Sequence, residues 1–373
     1  MRIGLIVNGR LHSVSSGHLY DAQLVSCLYE EGDDVEVISL SDAGFTQSLK
    51  QNLNRAFFDN LRRANFDLLL QDARTYPALF WLNQRLQPET PFPIVSIVHA
   101  VQHEAEWLPW LKFGYRKLEQ RYFETADAFI CSSRMARVSV EKLLNDTQER
   151  PSMVAYPGSD RLPSSISPHD IVSRAQKPGP LHVVFVGGYE QRQALFSLVT
   201  ALNYLPSHQW HLDVISDFVV ESRTRRRWLP PMLDMIDTQQ NVTFCGTPTK
   251  EAIVEIYQRN QVAVIPDGDG VLGASIIEAM SFGLPVIGTT RGATREIIQH
   301  GRNGYRLTAN NSIPMARHLA LLISNRRLLL RLGLEAHKRY QTHPTWNESM
   351  NAIRDFLVEV VNRNHSLAPA DQQ

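Results

Sequence analysis

Glu278 sits in a stretch of small and apolar residues, "GASIIEAMSFGLPVIG", just after a loop that reads "DGDGVLG" from Asp267 to Gly273. A carboxylate a turn or so into a helix can accept hydrogen bonds from two adjacent hydroxyls, as on a ribose. The loop closes on Gly273, and the helix starts near Ala274. Its unpaired backbone N–H groups and macrodipole suit a diphosphate. Asp269, inside the loop, offers a second carboxylate. The bland alternative is that Glu278 interacts only with its own helix start. Glu296, in "RGATREII", is read that way, as a cap.

Three other points carry groups of the same kind. In "VFVGGYEQRQALFSL" a strand ends at Gly187 and Gly188, and Glu190 and Arg192 follow before a helix. Arginine donates two parallel hydrogen bonds to a phosphate, so Arg192 is a diphosphate candidate, set against a solvated loop charge. In "NGRLHSVSSGHLYDAQL" a small-residue loop ending at Gly17 leads into a helix. It is not a dinucleotide fingerprint, because no GxGxxG is present. His99 closes the run "PIVSIVH", where strand ends place site residues; taken alone, a histidine bonded to a neighbouring loop is the simpler reading. His103, Glu104 and Glu106 follow, but their spacing matches no metal-ligand set, so no metal is expected.

These points need strands and helices to hold them, and the pattern supplies both. Short β-rich runs alternate with helical patterns: Arg2–Asn8, Val35–Leu40, Asp67–Asp72, Pro93–His99, Ala128–Ser133 and Met153–Pro157 in the first half. Leu181–Gly188, His211–Asp217, Asn241–Gly246, Val262–Asp267 and Pro285–Thr290 follow in the second. Helices such as Tyr20–Glu31 and Phe113–Thr125 lie between. This is the signature of parallel α/β sheets. The Pro- and Ser-rich segment 161–180 reads as a linker. It separates an N-terminal domain, 1–160, from a C-terminal one, 181–344, and a last helix, 345–363, is expected to pack back on the first. The expected fold is α/β: two facing, doubly wound, Rossmann-like domains with a cleft between them as the default ligand site.

Composition narrows the classes. The 373 residues are 43% hydrophobic, and Lys+Arg equals Asp+Glu at 38 each, which argues against binding nucleic acid by bulk charge. Cys27, Cys131 and Cys245 are isolated, so neither a disulfide framework nor a metal pair is expected. "MRIGLIVNG" reads as a first strand rather than a signal peptide, and no apolar run approaches the roughly 20 residues of a spanning helix. A cytoplasmic location is expected.

With those residues in place, "GASIIEAMSFGLPVIGTTRGATREIIQHGRNGYRL" resembles the nucleotide-sugar signature of the retaining glycosyltransferases of family four, which have the GT-B architecture. The likeness is most specific over Val262–Leu307. It extends more loosely over "ICSSR", "VAYPGSD", "VFVGG" and "TWNESM". The resemblance implies transfer of a sugar from a nucleotide-diphosphate sugar to an acceptor hydroxyl with retention. No cofactor or metal is needed, and the donor lies mainly on the C-terminal domain. It implies polysaccharide, glycolipid or glycoside biosynthesis, with a sugar, lipid-linked or small-molecule acceptor. By position, Glu278 matches the ribose-binding glutamate, His99 the histidine at the transferred sugar, Gly17 the loop glycine beside the donor, and Arg192 the arginine of the Arg-Lys pair on the diphosphate.

The sequence departs from that pattern at three places. Gly270 stands where a sugar-directed glutamate is usual, with Asp269 as its nearest substitute. Gln193 and Ala194 replace the lysine and glycine after Arg192, and Ser16 replaces the first loop glycine. These departures motivate a second reading: a catalytically weakened relative that binds a glycan or assists a partner glycosyltransferase. A nucleotide-sugar epimerase is disfavoured because its additional acid and histidine pattern is absent. "EWLPWLKFGYRKLEQRYF" (Glu106 to Phe123) admits peripheral membrane contact, though a core-packed helix is favoured. "RTRRRWLPP" (Arg223 to Pro231) reads as a solvated basic run.

Overall fold

The computed structural model describes residues 1–9, 11, 16–41, 44–101, 109–144, 150–163, 166–188, 191–216, 241–266, 273–290, 292, 294–308 and 311–367. The loop carrying Asp269 and Gly270 lies outside them. So do Glu190, Arg291, His103 with Glu104 and Glu106, and the basic run 223–231.

The chain divides by contact into two compact units, Met1–Pro157 with Thr345–Gln373, and Gly158–Pro344. In the first, strands β1 (Arg2–Asn8), β2 (Asp34–Leu40), β3 (Leu68–Asp72), β4 (Ile94–Val98), β5 (Ala128–Cys131) and β6 (Ser152–Val154) form one parallel sheet in the order β2-β1-β3-β4-β5-β6. Helix α1 (Ser16–Glu30) follows β1, and α2 (Phe45–Gln51) and α3 (Arg55–Arg63) follow β2. Helix α4 (Tyr76–Leu86) follows β3, α5 (Pro109–Glu124) follows β4, and α6 (Arg134–Leu144) follows β5. Every residue of β3, β4 and β5 is buried, as expected for central strands covered on both faces.

The second unit opens with α7 (Pro168–Gln176) and repeats the plan: β7 (Leu181–Val186), α8 (Arg192–Leu202), β8 (Trp210–Ile215), β9 (Val242–Gly246), α9 (Lys250–Arg259), β10 (Val262–Val264), α10 (Ala274–Ser281), β11 (Val286–Thr289), α11 (Thr294–Ile297), β12 (Gly304–Leu307), α12 (Ser312–Ser324) and α13 (Arg326–Gln341). Its sheet is parallel, in the order β12-β11-β10-β7-β8-β9. One face buries Val183, Phe185, Leu198 and Trp210; the other buries Val184, Ile276 and Met280.

Both sheets reverse direction of growth once. In the first, the chain runs outward from β1 to β2 and returns to β3 on the other side of β1. In the second it runs from β7 to β8 and β9, then returns to β10. A crevice opens at the carboxyl ends of the strands flanking such a reversal, because their connections leave on opposite faces. The elements after β1, β3, β7 and β10 are therefore where candidate site residues are sought first.

Two expectations change, and the favoured core-packed reading of α5 is kept. Segment 161–180, expected as a linker, contains α7. Its start carries a capping box between Ser167 and Asp170, and Ile171 and Ala175 are buried. Arg174 donates to the carbonyls of Tyr257, Gln258, Phe282 and Gly283. Pro168 sits in the first turn, where it costs no hydrogen bond, so proline density misreads as a break. Strand β12, in "NGYRL", was not anticipated; Gly304 lets it approach β11, since a Cβ there would lie 2.0 Å from the Val286 carbonyl. On α5, Glu119, Tyr122 and Phe123 are buried, so its second half packs in the core. No described helix is long and apolar enough to cross a membrane.

The last helix, α14 (Trp346–Leu367), belongs to the first unit. Its Arg354 Nε lies 2.7 Å from Asp33 Oδ2, Asn364 donates to the Pro91 carbonyl at 2.6 Å, and Trp346 meets Tyr20 edge-on at 5.9 Å.

Candidate functional site

In the second unit the candidate residues gather at the reversal between β7 and β10. Gly273 caps α10 in the left-handed conformation (φ 76°, ψ 0°), which a residue without a Cβ adopts readily. Among the described residues no side chain caps that helix, and an uncapped helix start offers backbone N–H groups to a ligand. Ala274 is half-buried at the first position. Glu278 follows on the inner face, 3% exposed.

Glu278 is not alone. Arg161, from the segment between β6 and α7, lays its guanidinium fork on both carboxylate oxygens: Nε on Oε1, and NH2 on Oε2 at 2.8 Å. The hydrogen bonds it donates to Glu278 hold the Arg161 guanidinium above its ordinary value, against the pull of burial. The side chain of Tyr257, fully buried beside the pair, has its phenol pushed up by burial and then by the Glu278 charge. A carboxylate oxygen has two lone pairs, so a bidentate arginine leaves acceptor capacity for a vicinal diol.

Gly188 lies two residues past β7, and its N–H donates to Gln191 Oε1 at 2.8 Å. Gln191 thereby occupies a backbone donor that a phosphate would use. Arg192 is the first residue of α8 and half-buried. Gln193, in the usual lysine's place, is exposed. Arg295 is also exposed, and its carbonyl accepts from Arg306. Arg161 is thus the cation that the fold brings to Glu278. Asp269 falls outside the described residues.

In the first unit the reversal between β1 and β3 gathers a different set. Gly17 lies in the first turn of α1. Asp21 follows on the same helix and is fully buried, as is Asp72 at the end of β3. Arg74, two residues on, donates to both oxygens of Asp72, and its NH2 stands 3.5 Å from Asp21 Oδ2. His99, just past β4, is 8% exposed, with Nε2 3.5 Å from Asp21 Oδ1. That distance allows an ion pair, yet neither ring nitrogen has a hydrogen-bond partner among the described residues. The loop-bonded histidine is therefore not what forms: only the His99 carbonyl is bound, accepting from Ser132 Oγ at 3.3 Å. Burial pushes the Asp21 carboxyl above its ordinary range. His99 pulls it back, the Asp72 charge adds to the rise, and Arg74 opposes it.

Asp21, Asp72, Arg74, Arg161 and Gln191 are the neighbours that the sequence did not single out. Asp72 had a signal in hindsight, since it is an acid at a strand's carboxyl end.

Comparison with known proteins agrees with this geometry. Residues 169–339 match the family model described as glycosyl transferases group 1. Over 225 residues the chain is 24% identical to a sucrose synthase of Acidithiobacillus caldus, covering 57% of this chain and 25% of that one. The first three curated relatives are matched over 25% to 66% of their own lengths. Among solved structures, sucrose-phosphate synthase from Thermosynechococcus elongatus superposes with a TM-score of 0.78 at 18% identity, covering 97% of this chain and 100% of that one. Anabaena HepE, solved with UDP and glucose, gives 0.70 at 17% identity over 96% and 99%. The chain shares the GT-B fold of these structures.

Proposed function

From the match of residues 169–339 to the family model of glycosyl transferases group 1 and from the geometry above, we propose that this chain moves a sugar from a nucleotide-diphosphate sugar to an acceptor hydroxyl, with retention and without a metal. One observation carries the reading: the start of α10, capped by Gly273 alone, stands one turn before Glu278 at the reversal of a parallel sheet. That is an anion site followed by a diol acceptor, in the order diphosphate then ribose.

The chemistry required is departure of a diphosphate. Charge develops on its bridging oxygen, and fixed donors lower the barrier most where that charge appears. The helix start and Arg192 are the donors. Arg161 orients the Glu278 carboxylate while it accepts from the ribose. His99 meets the transferred sugar, and Asp269 takes the place of the usual glutamate.

HepE was solved with UDP and with UDP-glucose, so these are the first donors to try. Calorimetry with a panel of nucleotides and nucleotide sugars, followed by an assay for donor turnover, tests the reading. Binding with slow hydrolysis of one donor supports it. No binding by any nucleotide at millimolar concentration, in protein that is folded by circular dichroism, removes its basis.

A second reading has its own observations: Gln191 occupies the Gly188 N–H and Arg161 occupies both Glu278 oxygens, so two ligand groups are satisfied internally. On that reading the chain is a weakened relative that binds a glycan or a partner transferase. Restoring the usual residues with Gly270→Glu and Gln193→Lys separates the two. A large gain in turnover identifies an impaired site; a loss identifies a site adapted to another donor.

A further inference from the structure

The first sheet brings Asp21, Asp72, Arg74 and His99 to one buried point. One ligand atom from each of Asp21, Asp72 and His99 lies within 4.8 Å of the others, a set that invites a divalent cation. The charges argue against one. Both Asp72 oxygens already accept from Arg74, whose guanidinium also stands against Asp21. Among the described residues a metal would keep only Asp21 Oδ1 and a His99 nitrogen of this set as uncommitted ligands, and it would face a fixed positive charge at close range. Arg74 supplies the countercharge that a cation would bring.

What remains is specific. Asp21 Oδ1, His99 Nδ1 and His99 Nε2 are buried polar atoms without a hydrogen-bond partner among the described residues, and Oδ1 and Nε2 face each other at 3.5 Å. Leaving such atoms unpaired forfeits their hydration without a replacement. A small rotation closes the gap with a proton on Nε2. The ring is already held on other sides. Tyr20, next to Asp21 on α1, meets it edge-on with centroids 5.1 Å apart, and the Tyr20 hydroxyl is fixed to the Ala155 carbonyl at 2.8 Å. Which nitrogen of an imidazole carries its proton is set by the bond the other one makes.

We propose that Asp21 is a positioning residue for His99: its carboxylate accepts a hydrogen bond from Nε2–H and so fixes the ring and its tautomer. The proposal rests on the reading that His99 stands at the transferred sugar. The titratable and charged groups facing the ring among the described residues are Asp21 and Tyr20 from α1, and Asp72 with Arg74 from the end of β3. Asp72 is committed to Arg74, so Asp21 is the carboxylate left for the ring.

The test uses the full chain with 15N-labelled histidine. His99→Asn assigns the His99 ring signals, and the ring is then compared in the wild type and in Asp21→Asn at neutral pH. The expected result is a protonated Nε2 in the wild type and a clear shift of both ring nitrogens in the variant. Identical ring signals overturn the proposal. Turnover is read in parallel. Loss of one charge-assisted hydrogen bond predicts a fall in kcat of about 10- to 100-fold, with little change in donor KM and no added loss in the His99→Asn background. If the ring shifts but no protein shows transfer, the positioning role stands and the transferase reading falls. If transfer is present and Asp21→Asn matches the wild type in kcat, the positioning role falls instead. Should Asp21→Asn fail to fold, Asp21→Ser provides the same comparison.

Discussion

Arg161 covers both carboxylate oxygens of Glu278 from a position 117 residues earlier in the chain. Side-chain exposure is 27% for the arginine and 4% for the glutamate. The pair is thus a buried anion under a partly open cation. Removing the cation leaves the anion uncompensated, whereas removing both leaves no stranded charge.

Arg161→Met is therefore expected to cost about 3 kcal/mol of stability and to weaken donor binding. Arg161→Met combined with Glu278→Gln is expected to recover much of the stability but none of the binding. Thermal melts and donor KM on the two variants check this. Equal melts would show that the pair carries little coupling.

Asp21 gives a prediction of opposite sign. Its carboxyl is raised from the ordinary 3.8, chiefly by burial. A raised carboxyl means that the folded state binds its proton more tightly than the unfolded one. Stability therefore falls as pH rises from the ordinary value through the raised one. At neutral pH the charged form is a burden, so Asp21→Asn should match or exceed the wild type in melting temperature. The difference should vanish as the solution is acidified below the ordinary value. A clear loss of stability at neutral pH would contradict this.

Asp213, on β8, titrates the other way. Burial alone would push its carboxyl up, but hydrogen bonds from Arg259 (2.8 Å, twice) and Asn260 (2.7 Å) outweigh it and hold it below the ordinary value. That stability is present above the ordinary value and is lost as pH falls through the lowered one. Asp213→Asn is expected to cost about 2 kcal/mol at neutral pH, and the cost should shrink in strong acid. Urea midpoints at neutral and acid pH measure it.

Helix α7 depends on its cap and on one side chain. Ser167→Ala removes the side-chain acceptor for the Asp170 N–H and should cost about 1 kcal/mol. Ile171→Ala, at a buried site against Gly283, should cost about 2–4 kcal/mol. Hydrogen exchange of the α7 amides should rise in both variants. Unchanged exchange would mean that α7 is held by Arg174 alone.

The strands were legible because central strands of a parallel sheet must be apolar on both faces, and runs such as "DLLLQD" and "PIVSIV" have little other use. Gly188, after β7, and Gly273, before α10, were legible because glycine marks the loops that join strand to helix. The residues that tune the site were not. Asp21 is one acid in an ordinary amphipathic helix, and Arg161 sits in "YPGSDRLP", which reads as coil. Their meaning comes from contacts across dozens of residues that local pattern does not encode. Gln191 was overlooked for another reason: a neutral amide next to Arg192 drew no charge argument, although it is the group bonded to Gly188. Helix α7 was missed because proline and serine mark a helix start as readily as a linker.

The anchoring of α7 sets where this chain can be exchanged with a relative. A hybrid joined at residue 180 would take Arg174 from one parent and the carbonyls of Phe282 and Gly283 from the other, and would seat a foreign Ile171 against Gly283. A hybrid joined at Gly158 keeps those partners together and also carries Arg161 along with Glu278. Donor preference, if it is to be transplanted as a module, should travel with the longer piece.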